Sequence, residues 1–124
     1  MTKITYAHIR KEWHRFNLLI FAGCLRPPPR FHLIYARGDR DLLGWVWVRE
    51  ENPRIRGISL NFGKHESVED LLGTLIHEMV HQYEYEVLQL RGKKFDQHKR
   101  FDEWQDYLEV LGLPYNIMEQ SEFA

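Results

Sequence analysis

Between Ser67 and Gly92 the chain carries one long helical signal, and it limits what the rest can fold into. Val68, Leu71, Leu72, Leu75, Ile76, Met79, Tyr83, Val87 and Leu90 recur at steps of three and four, a stripe that a helix has to bury. Ser67 offers an N-cap hydroxyl, Glu69 and Asp70 put carboxylates in the first turn, and Gly92 ends the run. With 124 residues there is material for one core, so this stripe faces that core and the other elements pack around it.

Those other elements are short. Tyr6, Ile9, Trp13, Phe16 and Ile20 form a second apolar stripe, predicting an N-terminal helix that stops at Gly23. Pro27, Pro28 and Pro29 make a stiff extended connector. Three strand candidates follow: Phe31–Arg37, Gly44–Glu50 with aromatic and β-branched residues alternating, and Gly57–Phe62. In the last of these Ile58, Leu60 and Phe62 share one face, and Ser59 and Asn61 the other. The short joints favour hairpin-like neighbours. A final helix is expected from Asp96 to Leu111, with Phe101, Trp104, Leu108 and Leu111 inward, stopped by Gly112 and Pro114. The sum over 1–124 is a single α+β domain: N-terminal helix, small three-stranded sheet, long helix, C-terminal helix.

The long helix contains His77-Glu78-Met79-Val80-His81, an H-E-x-x-H pattern. Residues four apart lie one above the other on a helix, so two imidazoles can reach one metal ion at about 2 Å each. Glu78 is turned about 100° away, which suits it to a water rather than to the ion. The stripe centres near Leu72 and Met79, which places His77 and His81 on nearly the opposite side, away from the core. A catalytic zinc takes three protein ligands and leaves one position open. The places where H-E-x-x-H-x-x-G-x-x-H would put its last two residues hold Glu84 and Val87. Glu84 shares the helix face but lies about 10 Å along the axis from His77. His98, 17 residues after His81, is the preferred third ligand, because the linker Arg91–Phe95 lets the chain reverse; Glu103 is the runner-up. His65 is read as a loop histidine, and His8, His14 and His32 have no spacing that recommends them. Tyr83, Tyr85, Tyr107 and Tyr115 are candidate donors to a developing oxyanion.

Composition excludes several classes. One cysteine, Cys24, allows no internal disulfide and no Cys-rich zinc ribbon within these residues. No apolar run approaches the roughly 20 residues of a membrane span. Phe21-Ala22-Gly23-Cys24 is read as a helix end rather than a lipoprotein signal, which makes a cytoplasmic monomer the expectation. The net charge of −1 excludes a chain that is basic throughout. It hides a split: residues 1–64 hold 12 basic and 5 acidic residues, and residues 65–124 hold 5 and 13. Arg26, Arg30, Arg37 and Arg40 in the basic half are the candidates for contact with DNA.

Taken in order, the pieces resemble the SprT-like zinc metallopeptidase domain, the type found in Spartan. The match is carried by Leu72–Gln82 (LGTLIHEMVHQ), then His98-Lys99-Arg100-Phe101 with Trp104 three residues on. Phe16–Leu25 (FNLLIFAGCL) is similar to the family's helix end, and Leu43-Gly44-Trp45 and Ile58-Ser59-Leu60 fit its strands. The resemblance spans about residues 12–113. It implies a zincin-like fold, Zn2+ held by His77, His81 and His98, and Glu78 as general base. It implies a metalloendopeptidase acting on polypeptides, including proteins bound or crosslinked to DNA, and so a nucleoid-associated location. Strand addition at Gly44–Glu50 or Gly57–Phe62 would hold an extended substrate. The alternative is a non-catalytic module in which zinc pins two helices while the surface binds nucleic acid or protein.

Overall fold

A computed structural model of the protein describes residues 4–36, 38, 42–49, 51–95 and 98–118. Helix α1 spans Tyr6–Phe21, strands β1, β2 and β3 span Phe31–Ile34, Gly44–Trp47 and Gly57–Asn61, and helices α2 and α3 span Val68–Glu86 and Phe101–Val110. The expected α+β order is therefore present. Arg37, Arg40, Glu50 and Asp96, which fall within or beside expected elements, lie outside the described residues.

α1 starts where Thr5 accepts the His8 N–H and ends with Ala22 and Gly23 both in the left-handed region, at φ 53 and 74. Its buried stripe is Ile9, Trp13, Phe16 and Ile20; Tyr6 is exposed, and Ile4 takes its place in the core. Asn17, a polar interruption in the sequence, is buried for a reason. Its amide donates to Leu25 O at 3.0 Å and accepts Leu25 N–H at 3.1 Å, fastening the chain as it leaves the helix.

The sheet order is β1-β3-β2. β1 runs parallel to β3, pairing Phe31 with Ile58 and Ile34 with Asn61, while β2 runs antiparallel to it, pairing Gly44 with Leu60 and Trp47 with Gly57. Only the β2–β3 joint behaves as a hairpin. β1 and β2 do not pair, because β3 slots between them. All five residues of β3 are buried, so the expected polar face is covered too. Ile58 and Leu60 belong to the core, and α2 packs on β2 and β3. On the opposite face the Trp47 indole N–H donates to Ser59 Oγ at 2.6 Å and its ring meets His32 edge-on. Asn61 accepts the N–H groups of Ala36 and Gly63 and donates to Leu42 O, tying together the loops at one end of the sheet.

α2 is capped by Ser67, whose hydroxyl accepts Asp70 N–H, and it stops at Glu86, short of the expected end. Val87 and Leu88 are exposed. Every residue from Leu71 to Gln82 is buried. The one-sided stripe is thus corrected: α1 and the sheet cover one side of α2, and the segment around α3 covers the other. α3 begins at Phe101, later than expected; Phe101 and Leu108 are buried, Trp104 is half-buried, and Leu111 and Val110 face solvent. Among the described residues no helix is long and apolar enough to cross a membrane.

Candidate metal centre

His77 and His81 project from the middle of α2, 1% exposed each, not from a solvated face as the stripe implied. His98 lies in the turn ahead of α3, at φ 57, rather than within the helix. Its Nε2 stands 3.1 Å from His77 Nε2 and 3.1 Å from His81 Nε2. The three form the metal-ligand cluster of the described residues, with all donor atoms within 4.8 Å of one another. Glu103, the runner-up, is exposed on α3 and is not in the cluster.

The outer ring nitrogens settle the tautomers. His77 Nδ1 meets the carbonyl of Ile117 at 3.0 Å, an acceptor only, so Nδ1 carries the proton. His81 Nδ1 meets Glu84 Oε1 at 2.8 Å, and donates to it. Both rings therefore turn an Nε2 lone pair toward His98 Nε2. Tetrahedral zinc with bonds of about 2.05 Å holds its nitrogens about 3.3 Å apart, so the two spacings to His98 need to open only slightly. The set fits a borderline-soft divalent ion held by imidazole. Phe101 caps the cluster, its ring centroid 4.5, 5.0 and 4.8 Å from those of His77, His81 and His98.

Glu78 points toward the sheet. It is 2% exposed. Its Cγ lies 3.4 Å from where a Cβ on Gly44 would sit, so the first residue of β2 must be small for this carboxylate to fit. β2 is an edge strand, whereas β3, the other candidate for substrate pairing, is central and already paired on both sides.

Two contributors escaped the sequence. Glu84 was set aside as a distant ligand, yet it orients His81; its signal was the i,i+3 spacing on the histidine face. The Ile117 carbonyl had no signal, since a backbone acceptor leaves no residue-type pattern. His65 is also no free loop residue: Nδ1 lies 2.6 Å from Asn61 O and Nε2 2.7 Å from Thr74 Oγ1, clasping the end of β3 to α2. Burial holds its ring below the ordinary histidine value, partly countered by the Asn61 carbonyl. Of the tyrosines, Tyr85 is buried with its hydroxyl against Arg49 O and Asn52 O, and Tyr115 accepts from Arg15. Tyr83 and Tyr107 line an open groove of about 450 Å³ together with Phe21, Trp104 and Glu84. Arg26 and Arg30 are exposed along the proline connector. Compared with protein-family models, curated proteins and solved structures, the chain matches none at a significant level.

Proposed function

We propose that this chain is a zinc-dependent endopeptidase with a zincin-like, SprT-like fold. The observation that carries the reading is the meeting of three imidazole Nε2 atoms over an H-E-x-x-H helix, with a buried glutamate one residue along. His77, His81 and His98 would hold the ion. Bound zinc supplies Lewis acidity for a substrate carbonyl and a lowered pKa for water. Glu78 carries the proton: a carboxylate oxygen takes it from the attacking water and returns it to the leaving amine nitrogen. Burial between α2 and β2 holds that carboxylate in place. The outer edge of β2 suits an extended polypeptide, which would add as a fourth strand beside Glu78.

The exposed Arg26 and Arg30 in the basic half support protein substrates bound or crosslinked to DNA, and with them a cytoplasmic, nucleoid-associated site of action. A closed fourth protein ligand would favour the rival, a zinc-stabilised binding module, and an open, water-bound position would favour catalysis. Metal analysis of the wild type and of His98→Ala, with casein and histone cleavage measured with and without DNA, tests the reading. We expect one zinc per chain, loss of zinc in His98→Ala, and Glu78→Gln that keeps zinc but has no turnover. Full cleavage by Glu78→Gln would remove Glu78 from the chemistry.

A further inference from the structure

The segment after α3 does more than finish the core. Ile117 is fully buried, and its carbonyl is the acceptor that fixes His77. Its side chain packs in the core, and its backbone N–H is held by one side chain. Gln105 Oε1 accepts the Ile117 N–H at 2.8 Å, and Gln105 Nε2 donates to Tyr115 O at 3.0 Å. One carboxamide thus grips the strap at two alternate residues, much as a neighbouring strand would. Gln105 lies one helical turn after Phe101, the residue that caps the three imidazoles. α3 therefore holds the cluster twice: through Phe101 from above, and through Gln105 and the strap from behind His77.

We infer that Gln105 is a positioning residue for the metal centre, setting the tautomer and aim of His77 through the Ile117 carbonyl. The inference rests on the metal-binding reading above. Partners behind a ligating histidine tune affinity about 10–100-fold, and Gln105 acts one bond further out, so the low end of that range is the expectation.

The test is zinc affinity by competition with a chromophoric chelator, on wild type, Gln105→Met and Gln105→Glu, with circular dichroism as the check on folding. Gln105→Met removes both strap bonds at nearly constant volume; its zinc Kd should rise about 10-fold, and the 15N signals of the His77 ring should lose their single-tautomer pattern. Gln105→Glu keeps the acceptor for Ile117 N–H but loses the donor to Tyr115 O, so its loss of affinity should be smaller than that of Gln105→Met. A Gln105→Met affinity equal to wild type, or an equal loss in both variants, overturns the inference. A purely structural role would lower stability without moving the ring signals. A wild type that binds no zinc overturns the metal reading instead, so the two failures are distinguishable. The unmodified chain offers a measurement that survives a misfolded variant. By reciprocity, zinc loading should slow hydrogen exchange at the Ile117 amide relative to the β1 amides. Unchanged protection there overturns the link.

Discussion

Gly44→Ala probes the junction of sheet and site with a single methyl group. A Cβ at this position would lie 2.9 Å from Ser59 O, 2.9 Å from Thr74 Cγ2 and 3.4 Å from Glu78 Cγ. The first two contacts fall about half an ångström short of ordinary packing distance. Neither neighbour yields easily. Ser59 O belongs to the central strand, and Thr74 is β-branched on a buried helix. β2 must therefore lift from α2, an overpacking that costs about 1–3 kcal/mol. Taking about 2 kcal/mol and a urea slope of about 1.5 kcal/mol/M for a domain of this size, the unfolding midpoint should fall by about 1.3 M. The measurement belongs in chelator, so that metal binding does not mask the loss. Lifting β2 also releases Glu78 from its seat. On the proposed peptidase reading, in which Glu78 carries the proton, turnover should drop by about 10–100-fold while the metal content is unchanged. A midpoint within about 0.2 M of wild type would show that the space beside Glu78 is not tight and refute the packing argument.

Other expectations follow from the same contacts. Glu84→Ala should weaken zinc binding about 10–100-fold, with Glu84→Gln less affected because it keeps an oxygen for His81 Nδ1, both read by chelator competition. Asn17→Leu strands the buried N–H and C=O of Leu25 and should cost about 2–4 kcal/mol in a urea melt; Asn17→Asp keeps the acceptor but sets a second carboxylate oxygen against Leu25 O in a buried site, and should cost at least as much at pH 7. His65 gives a pH signature. Its folded value is lowered, so between that value and its unfolded value near 6.5 the unfolded chain binds more protons, and stability falls as pH drops through that window. In chelator, the wild type should lose more stability than His65→Gln between about pH 7 and pH 5, seen as a shrinking gap between their urea midpoints. A gap that stays constant with pH would argue against the half-buried neutral ring.

Much of the architecture was legible because it follows from local chemistry. The Ser67 cap, the stripe of α2 and the left-handed stop at Ala22 and Gly23 are each encoded within one or two turns. The pairing of His77 with His81 needs only the helical period. His98 was reachable because the linker Arg91–Phe95 lets the chain reverse and bring the start of the last helix back toward α2. What the residues did not reveal was non-local. Hydrophobicity along β3 alternates, yet both faces are buried, because Trp47 from a neighbouring strand lays its indole over Ser59. The insertion of β3 between β1 and β2 is a non-local pairing, and turn residues do not specify it. Likewise the stripe on α2 identified one buried side. The histidine side is buried as well because Phe101 and the strap of Ile117 arrive from more than 20 positions away.

The sheet order also sets a timetable for synthesis. β1 and β2 are made before β3 but do not pair with each other, so neither has its sheet partner until β3 has been made and can pair with both. The histidines of α2 come next. Their third companion follows at His98, and the carbonyl that aims His77 follows later still, at Ile117. A nascent chain therefore passes through most of its length with its sheet or its imidazoles incomplete. A centre built in this order is complete only once Ile117 has been made, so the three imidazoles take their final aim late in synthesis.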